Sequence, residues 1–310
     1  MSNGVKEWKS IDEQIGILLS RGMVIDSHDE AKHFLLRVGY YRLSGYWYLF
    51  RSFDEETKRR TNNFISGSCF SDITALYNFD RKLRLLALDA IERIELAVQV
   101  DIAHLLGRRA PFAHHSAAEL HGKFSRAGRG GKSSRYDNWH ESYERLLHFN
   151  RKKPFVKHNI ESYGRLPIWV AVEIMDFGTM SKLFAGMKHK DKQNIESQFG
   201  LFNGTDFETW LRSFNFIRNT AAHHGRLWNC NVLEIASVPS TKVKLSPLKN
   251  SKPFLYFCLM QHVLSVICPQ STWKEEFIAL MGDFPTPANG AVCLDAMGVV
   301  KGWRDWPIWK

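Results

Sequence analysis

Residues 218–229 read Arg218-Asn219-Thr220-Ala221-Ala222-His223-His224-Gly225-Arg226-Leu227-Trp228-Asn229. Arginine carries a permanent charge and a fork of donors that fits phosphate oxygens. Histidine, with an unperturbed pKa near 6.5, moves protons around neutral pH. Together they suit metal-free cleavage of a phosphodiester, in which an RNA 2′-hydroxyl attacks its own phosphate. A histidine acts as general base or acid, a contribution of roughly 10²–10⁴-fold. Arg218 stabilises charge building on the phosphoryl oxygens, and Asn219 orients the substrate or the histidine. Dependence on the 2′-hydroxyl confines such a reaction to RNA. The competing reading is structural: Arg and His near a helix end cap carbonyls and favour the dipole.

The spacing sets a geometric condition. On a continuous helix Arg218 and His223 point about 140° apart, with a rise of about 7.5 Å, so one helix face does not hold both. Three arrangements bring them to one phosphate. The helix ends between them, with Gly225 as its C-terminal cap; the long Arg218 side chain reaches round; or a two-fold dimer builds the site from both chains. The adjacent His223 and His224 have no H-E-x-x-H context and no cysteine partner, so no metal site is expected there. P-loop, G-x-G-x-x-G and G-x-S-x-G motifs are absent, and no cofactor is expected.

Helical periodicity dominates the elements that must carry this run. Ile11, Ile15 and Leu18 predict one helix, and Ala31, Phe34, Leu35 and Val38 a second, with Asp29 as its cap. The aromatic cluster Tyr40-Tyr41, Tyr46-Trp47 suits either base stacking or core packing, and packing is the expected use. Residues 51–68 read as a loop. From Ser71 an unbroken stripe predicts a long helix ending at Gly107: Ile73, Leu76, Leu83, Leu86, Ile91, Ile94, Val98, Ile102 and Leu105. Asp80 and Arg84 form an i,i+4 pair on it, worth about 0.2–0.5 kcal/mol if exposed. Further helices are expected over 136–150, over 167–187 with an interruption at Gly178, and from Thr205, as N-cap, to Asn219. Residues 238–253 read as a connector. A core helix over 254–268 and another near 272–282 follow, then an irregular tail. No sustained strand pattern occurs, so the fold class is all-α.

The chain has 310 residues with 44% hydrophobic and 24% charged, values that suit a soluble globular protein with a substantial core. A net charge of +10 favours polyanionic partners, nucleic acid first. The stretch 107–135 concentrates Gly, Ser and positive charge, and is expected to be a flexible insertion. Arg108, Arg109, Lys123, Arg126, Arg129, Lys132 and Arg135 there, with Arg226 in the motif, are the candidate RNA contacts. Five cysteines, with no C-x-x-C pair, argue against a disulfide framework and suit a reducing cytoplasm. The N-terminus lacks a signal-peptide core. The most apolar run, Phe254 to Cys268, is shorter than the ~20 residues that span a bilayer, and no membrane association is expected.

The longer patterns are more specific. Gly39-Tyr40-Tyr41-Arg42-Leu43-Ser44-Gly45-Tyr46, Leu76-Tyr77-Asn78-Phe79-Asp80-Arg81-Lys82-Leu83-Arg84, Leu166-Pro167-Ile168-Trp169, Phe177-Gly178-Thr179 and the 218–229 run together resemble the abortive-infection (Abi) proteins of the AbiD/AbiF type, a bacterial phage-defence group. Met281-Gly282, Phe284-Pro285 and Trp306-Pro307-Ile308-Trp309 extend the similarity, so the whole chain, 1–310, reads as one domain with a C-terminal part from about 246. That family is placed in the HEPN superfamily. The resemblance implies a HEPN-like helical bundle with additional N- and C-terminal helices, usually dimeric, and often a metal-independent ribonuclease. Its R-x4-6-H motif falls on Arg218 and His223, with Asn219 adjacent and His224 also within the permitted spacing. The implied protein is a regulated toxin that cleaves RNA and is restrained by an inhibitory or guide RNA or by an antitoxin partner. The alternative is a non-catalytic RNA-binding or RNA-sensing protein of the same fold; a purely structural helical adaptor is the third reading.

Overall fold

The computed structural model describes residues 7–201, 206–237 and 247–310. These residues hold thirteen α-helices and one two-stranded sheet, so the fold is all-α.

The long apolar stripe becomes α4, Phe70–Gly107, the axis of the molecule. Its buried residues occur on more than one face, which is what a helix surrounded by neighbours requires. The neighbours are α3 (Tyr40–Trp47), α8 (Ile168–Ala171), α11 (Asp206–Ala222), α12 (Pro253–Ile267) and α13 (Trp273–Gly282). In α11, Phe207, Trp210, Leu211, Phe214, Ile217 and Ala221 recur every three or four positions and are buried. In α12 all but a few residues are buried, as its nearly unbroken apolar sequence demands. The tail has no long helix; Trp303 and Trp309 pack on Phe254 and Phe277. The buried apolar side chains form one cluster running from Ile15 to Trp309.

Both N-terminal helices form, α1 (Ile11–Ser20) and α2 (His28–Arg37), α2 starting before the expected cap. Ser10 caps α1 through a reciprocal box with Glu13, and Ser27 rather than Asp29 caps α2. The aromatic cluster is α3, with Tyr46 and Trp47 buried and Tyr41 92% exposed.

Several expectations are corrected. Residues 51–68 are not simply a loop: β1 (Arg51–Asp54) and β2 (Arg59–Phe64) form an antiparallel hairpin. Arg60 donates to the carbonyls of Leu49 and Arg51, which holds the hairpin base. The 167–187 segment breaks before Gly178. After α8 and a short 3₁₀ turn, Met175 is extended and Asp176 caps α9 (Phe177–Gly186) by accepting from the Thr179 amide at 2.7 Å. The polar helices α7 (Pro154–Tyr163) and α10 (His189–Gln198) had no apolar stripe to announce them. The expected cap Thr205 and most of the 238–253 connector lie outside the described residues.

The stretch 107–135 contains 3₁₀ turns and the short α5 (Gly122–Ser125). Leu120 and Phe124 are buried, and the His121 amide donates to the Gly186 carbonyl at 2.9 Å. These anchors fix the stretch to α9 and to α6 (Arg135–Asn150).

Candidate functional site

The 218–229 run straddles the end of α11. Arg218 and Asn219 are half-buried in its last turns; His223 and His224 follow its end and are exposed. The Gly225 amide donates to Thr220 O at 2.7 Å and the His224 amide to Ala221 O at 3.0 Å, the two bonds of a Schellman ending. The left-handed position of this ending is His224, with φ 57°, and not Gly225. Gly225 is needed for a different reason: a Cβ there would lie 3.0 Å from both the Thr220 carbonyl oxygen and its methyl carbon.

Two elements, α3 and α4, then fix the backbone that follows. Arg42 on α3 donates to the His224 carbonyl at 2.5 Å, and Arg226 donates back to the Gly45 carbonyl of α3. Asp80 on α4 is completely buried. It accepts from the Leu227 amide at 3.1 Å, the Trp228 amide at 2.7 Å, the Tyr46 hydroxyl at 2.7 Å and Arg84 at 2.6 Å. Arg84 also donates to the Gly225 carbonyl at 3.4 Å. The Asp80–Arg84 pair is therefore buried and central, not an exposed helix pair. Burial pushes the Asp80 carboxyl up, while Arg84, Tyr46 and the two amides hold it down. Burial and the Asp80 charge push the Tyr46 hydroxyl up, keeping it a donor.

The rigid ending presents the histidines to two grooves. One, of about 710 Å³, is lined by Tyr41, Arg42, Ser44, Tyr48, His223, His224, Arg226 and Cys230, among others. Burial pushes the Cys230 thiol up to about 12, so it is no thiolate nucleophile at neutral pH. The second groove, of about 440 Å³, is lined by Arg37, Arg42, Arg81, Arg84, Leu85 and His224. His224 and Arg42 belong to both. This concentration of guanidinium groups beside exposed imidazoles suits a polyanion.

Arg218 lines neither groove. Its Nη1 donates to Asn219 Oδ1 at 3.2 Å, and it faces the acidic side of α4. Burial pushes Glu95 up to about 7 there; Arg218 pulls it down, and Asp176 and Glu92 push it further up. Arg218 and His223 thus do not line the same groove, and the Schellman ending does not bring them into one.

The other candidate contacts disperse. Arg226 is tied to α3. Arg109 is ion-paired with Asp191 at 2.7 Å and Glu119 at 3.0 Å, while Arg108 lines a separate groove with Lys190. Lys123, Arg126, Lys132 and Arg135 are exposed, with Arg135 lying over the Phe124 ring; for Arg129 only the backbone is described. Missed by sequence reasoning were Arg37 and Arg81 of the second groove and the tertiary role of Asp80. Among the described residues no helix is long and apolar enough to cross a membrane.

The family of Abi-like proteins has a model that matches residues 33–229. That span begins in α2, contains α3, α4 and the whole motif, and stops at Asn229, so the tail lies outside the match. Neither a curated protein nor a solved structure matches the chain.

Proposed function

Because the chain belongs to the family of Abi-like proteins, we propose that it serves abortive infection as a regulated cytoplasmic toxin, a metal-independent endoribonuclease of the HEPN type. The observation that carries this reading is the helix ending itself. An Arg-x4-His run sits where α11 stops, the backbone just after it is held by Asp80, Arg84 and Arg42, and His223 and His224 line arginine-bearing grooves.

His223 takes the proton of an RNA 2′-hydroxyl, whose oxygen forms a bond to the adjacent phosphorus. The P–O5′ bond breaks, and the leaving 5′-oxygen takes a proton from a histidine acting as acid. The products are a 2′,3′-cyclic phosphate and a 5′-hydroxyl. Arg218 stabilises the phosphoryl oxygens and Asn219 orients its guanidinium. Arg218 and His223 of one chain do not share a groove, so the complete site is built across a homodimer, each chain supplying one member of each pair. Leu96 and Val100, one turn apart on α4 and 54% and 53% exposed, support this dimer as an exposed apolar pair. An inhibitory RNA in the basic grooves, or an antitoxin protein, restrains the toxin before infection.

The separation of Arg218 from the His223 groove also favours a second reading, an RNA-binding sensor without cleavage. Incubation of the protein with cellular RNA in EDTA, beside His223→Ala, decides between them. Fragments ending in 2′,3′-cyclic phosphate and made only by the wild type are expected. RNA retention without cleavage, in the absence of any antitoxin, would support the sensor.

A further inference from the structure

The stretch between α4 and α6 folds so that its turn Ala113–His115 lies against α6. His115 comes from that turn; His140 and Glu144 come from α6, one helical turn apart. Each side chain offers one ligand atom, and these atoms all lie within 4.8 Å of one another. The His115 and His140 rings meet edge to face at 5.6 Å. His140 Nε2 is 3.6 Å from a Glu144 carboxylate oxygen. Nε2 of His115 is shielded from solvent and makes no hydrogen bond.

Buried polar atoms are normally satisfied, so an orphaned imidazole nitrogen beside a second imidazole and a carboxylate needs a partner. An ion pair between His140 and Glu144 leaves that nitrogen as it was. A cation satisfies all three groups. Two imidazoles and one carboxylate are a zinc donor set, with ligand distances of about 2.0–2.2 Å and a fourth position left for water. Small rotations close the ligand atoms to that range. Glu144 is 47% exposed and free to make them, while the His115 ring is packed against the His114 ring, tilted at 4.2 Å between centroids, and against Tyr143.

We infer that His115, His140 and Glu144 form a divalent-cation site, best suited to zinc, that fastens the 113–115 turn onto α6. Two ligands lie on α6 and the third on the 113–115 turn, so the ion cross-links elements otherwise joined by packing and by a long hydrogen bond from the Tyr136 hydroxyl to the His114 carbonyl at 3.4 Å. The site shares no residue with the grooves at the end of α11, so its standing is independent of the ribonuclease reading.

The full chain, stripped with EDTA and dialysed, is titrated with zinc chloride by calorimetry, and bound zinc is counted after gel filtration. Wild type is expected to retain about one zinc ion per chain and to melt at a higher temperature with zinc than without. His140→Ala and Glu144→Gln are expected to lose both effects, with an unchanged melting temperature in EDTA. Wild type without stoichiometric zinc, or variants that hold as much as wild type, would overturn the assignment. Cobalt(II) spectra of the wild type give a check that needs no variant. Bands of a nitrogen and oxygen environment are expected, whereas a thiolate charge-transfer band would place the ion on the free cysteines and sink the proposal.

Discussion

The Asp80 carboxylate receives the Trp228 backbone amide at 2.7 Å, which ties the first third of the central helix to the last part of the 218–229 run. The same carboxylate holds Arg84, Tyr46 and the Leu227 amide. Asp80→Ala leaves a buried guanidinium and two amides without their partner. Breaking a buried charge pair in this way costs about 3–5 kcal/mol. Urea unfolding should show a loss of that size. A loss below about 1 kcal/mol, the scale of an exposed pair, would mean that Asp80 does not hold the site together.

The helix ending separates the two histidines by backbone conformation. His224 occupies the left-handed region, which costs a residue with a Cβ about 1–2 kcal/mol. His224→Gly is expected to be neutral or to stabilise by up to about 1 kcal/mol, whereas Gly225→Ala forces a Cβ against Thr220 and destabilises by about 1–3 kcal/mol. If His223 is the base, RNA cleavage persists in His224→Gly. Loss of cleavage in a stabilised His224→Gly protein would move the catalytic role to His224.

Glu95 gives the site a pH dependence. Its folded pKa of about 7 lies above the ordinary 4.5, because burial outweighs the attraction of Arg218. Between those two values the folded protein holds a proton that the unfolded chain has released. Stability from this group therefore falls as pH rises from about 4.5 to 7 and changes no further above that. Glu95→Gln removes the dependence. Its melting temperature relative to wild type should be higher at pH 8 than at pH 5; a difference that does not change with pH would show that Glu95 ionises normally.

How much of this was legible depended on the range of the interactions. The central helix was readable because its apolar spacing runs unbroken for 38 residues, and α12 because its sequence is apolar on every side. The hairpin was not, since Arg-Ser-Phe-Asp and Arg-Arg-Thr-Asn-Asn-Phe carry no alternation; its pairing depends on Arg60 and on the buried Phe50 and Phe64. The polar α10 hid because its sequence carries no apolar stripe. The chemistry of the motif could be read from one run of residues, and the 140° conflict between Arg218 and His223 followed from helix geometry. The groove could not be read, because Arg42 meets His224 across 182 positions. The Asp80–Arg84 spacing was visible, but its tertiary partners Leu227 and Trp228 come from the chain beyond the end of α11.

That conflict makes the dimer the decisive issue. Arg218 acts on Glu95 while His223 lines the groove; under the ribonuclease reading, a single chain brings the two to one phosphate only by a rearrangement of the Schellman ending against its backbone hydrogen bonds. A two-fold pairing through the exposed side of α4 requires none. Leu96 is 54% exposed, and a polar replacement there changes the stability of the isolated chain by no more than about 0.5 kcal/mol. In a dimer interface the same replacement places a charge against apolar surface and breaks the association. Leu96→Arg should therefore give a folded monomer by light scattering that no longer cleaves RNA. A monomeric Leu96→Arg protein with full cleavage would show that one chain builds the site alone, and a variant that stays dimeric would place the interface elsewhere.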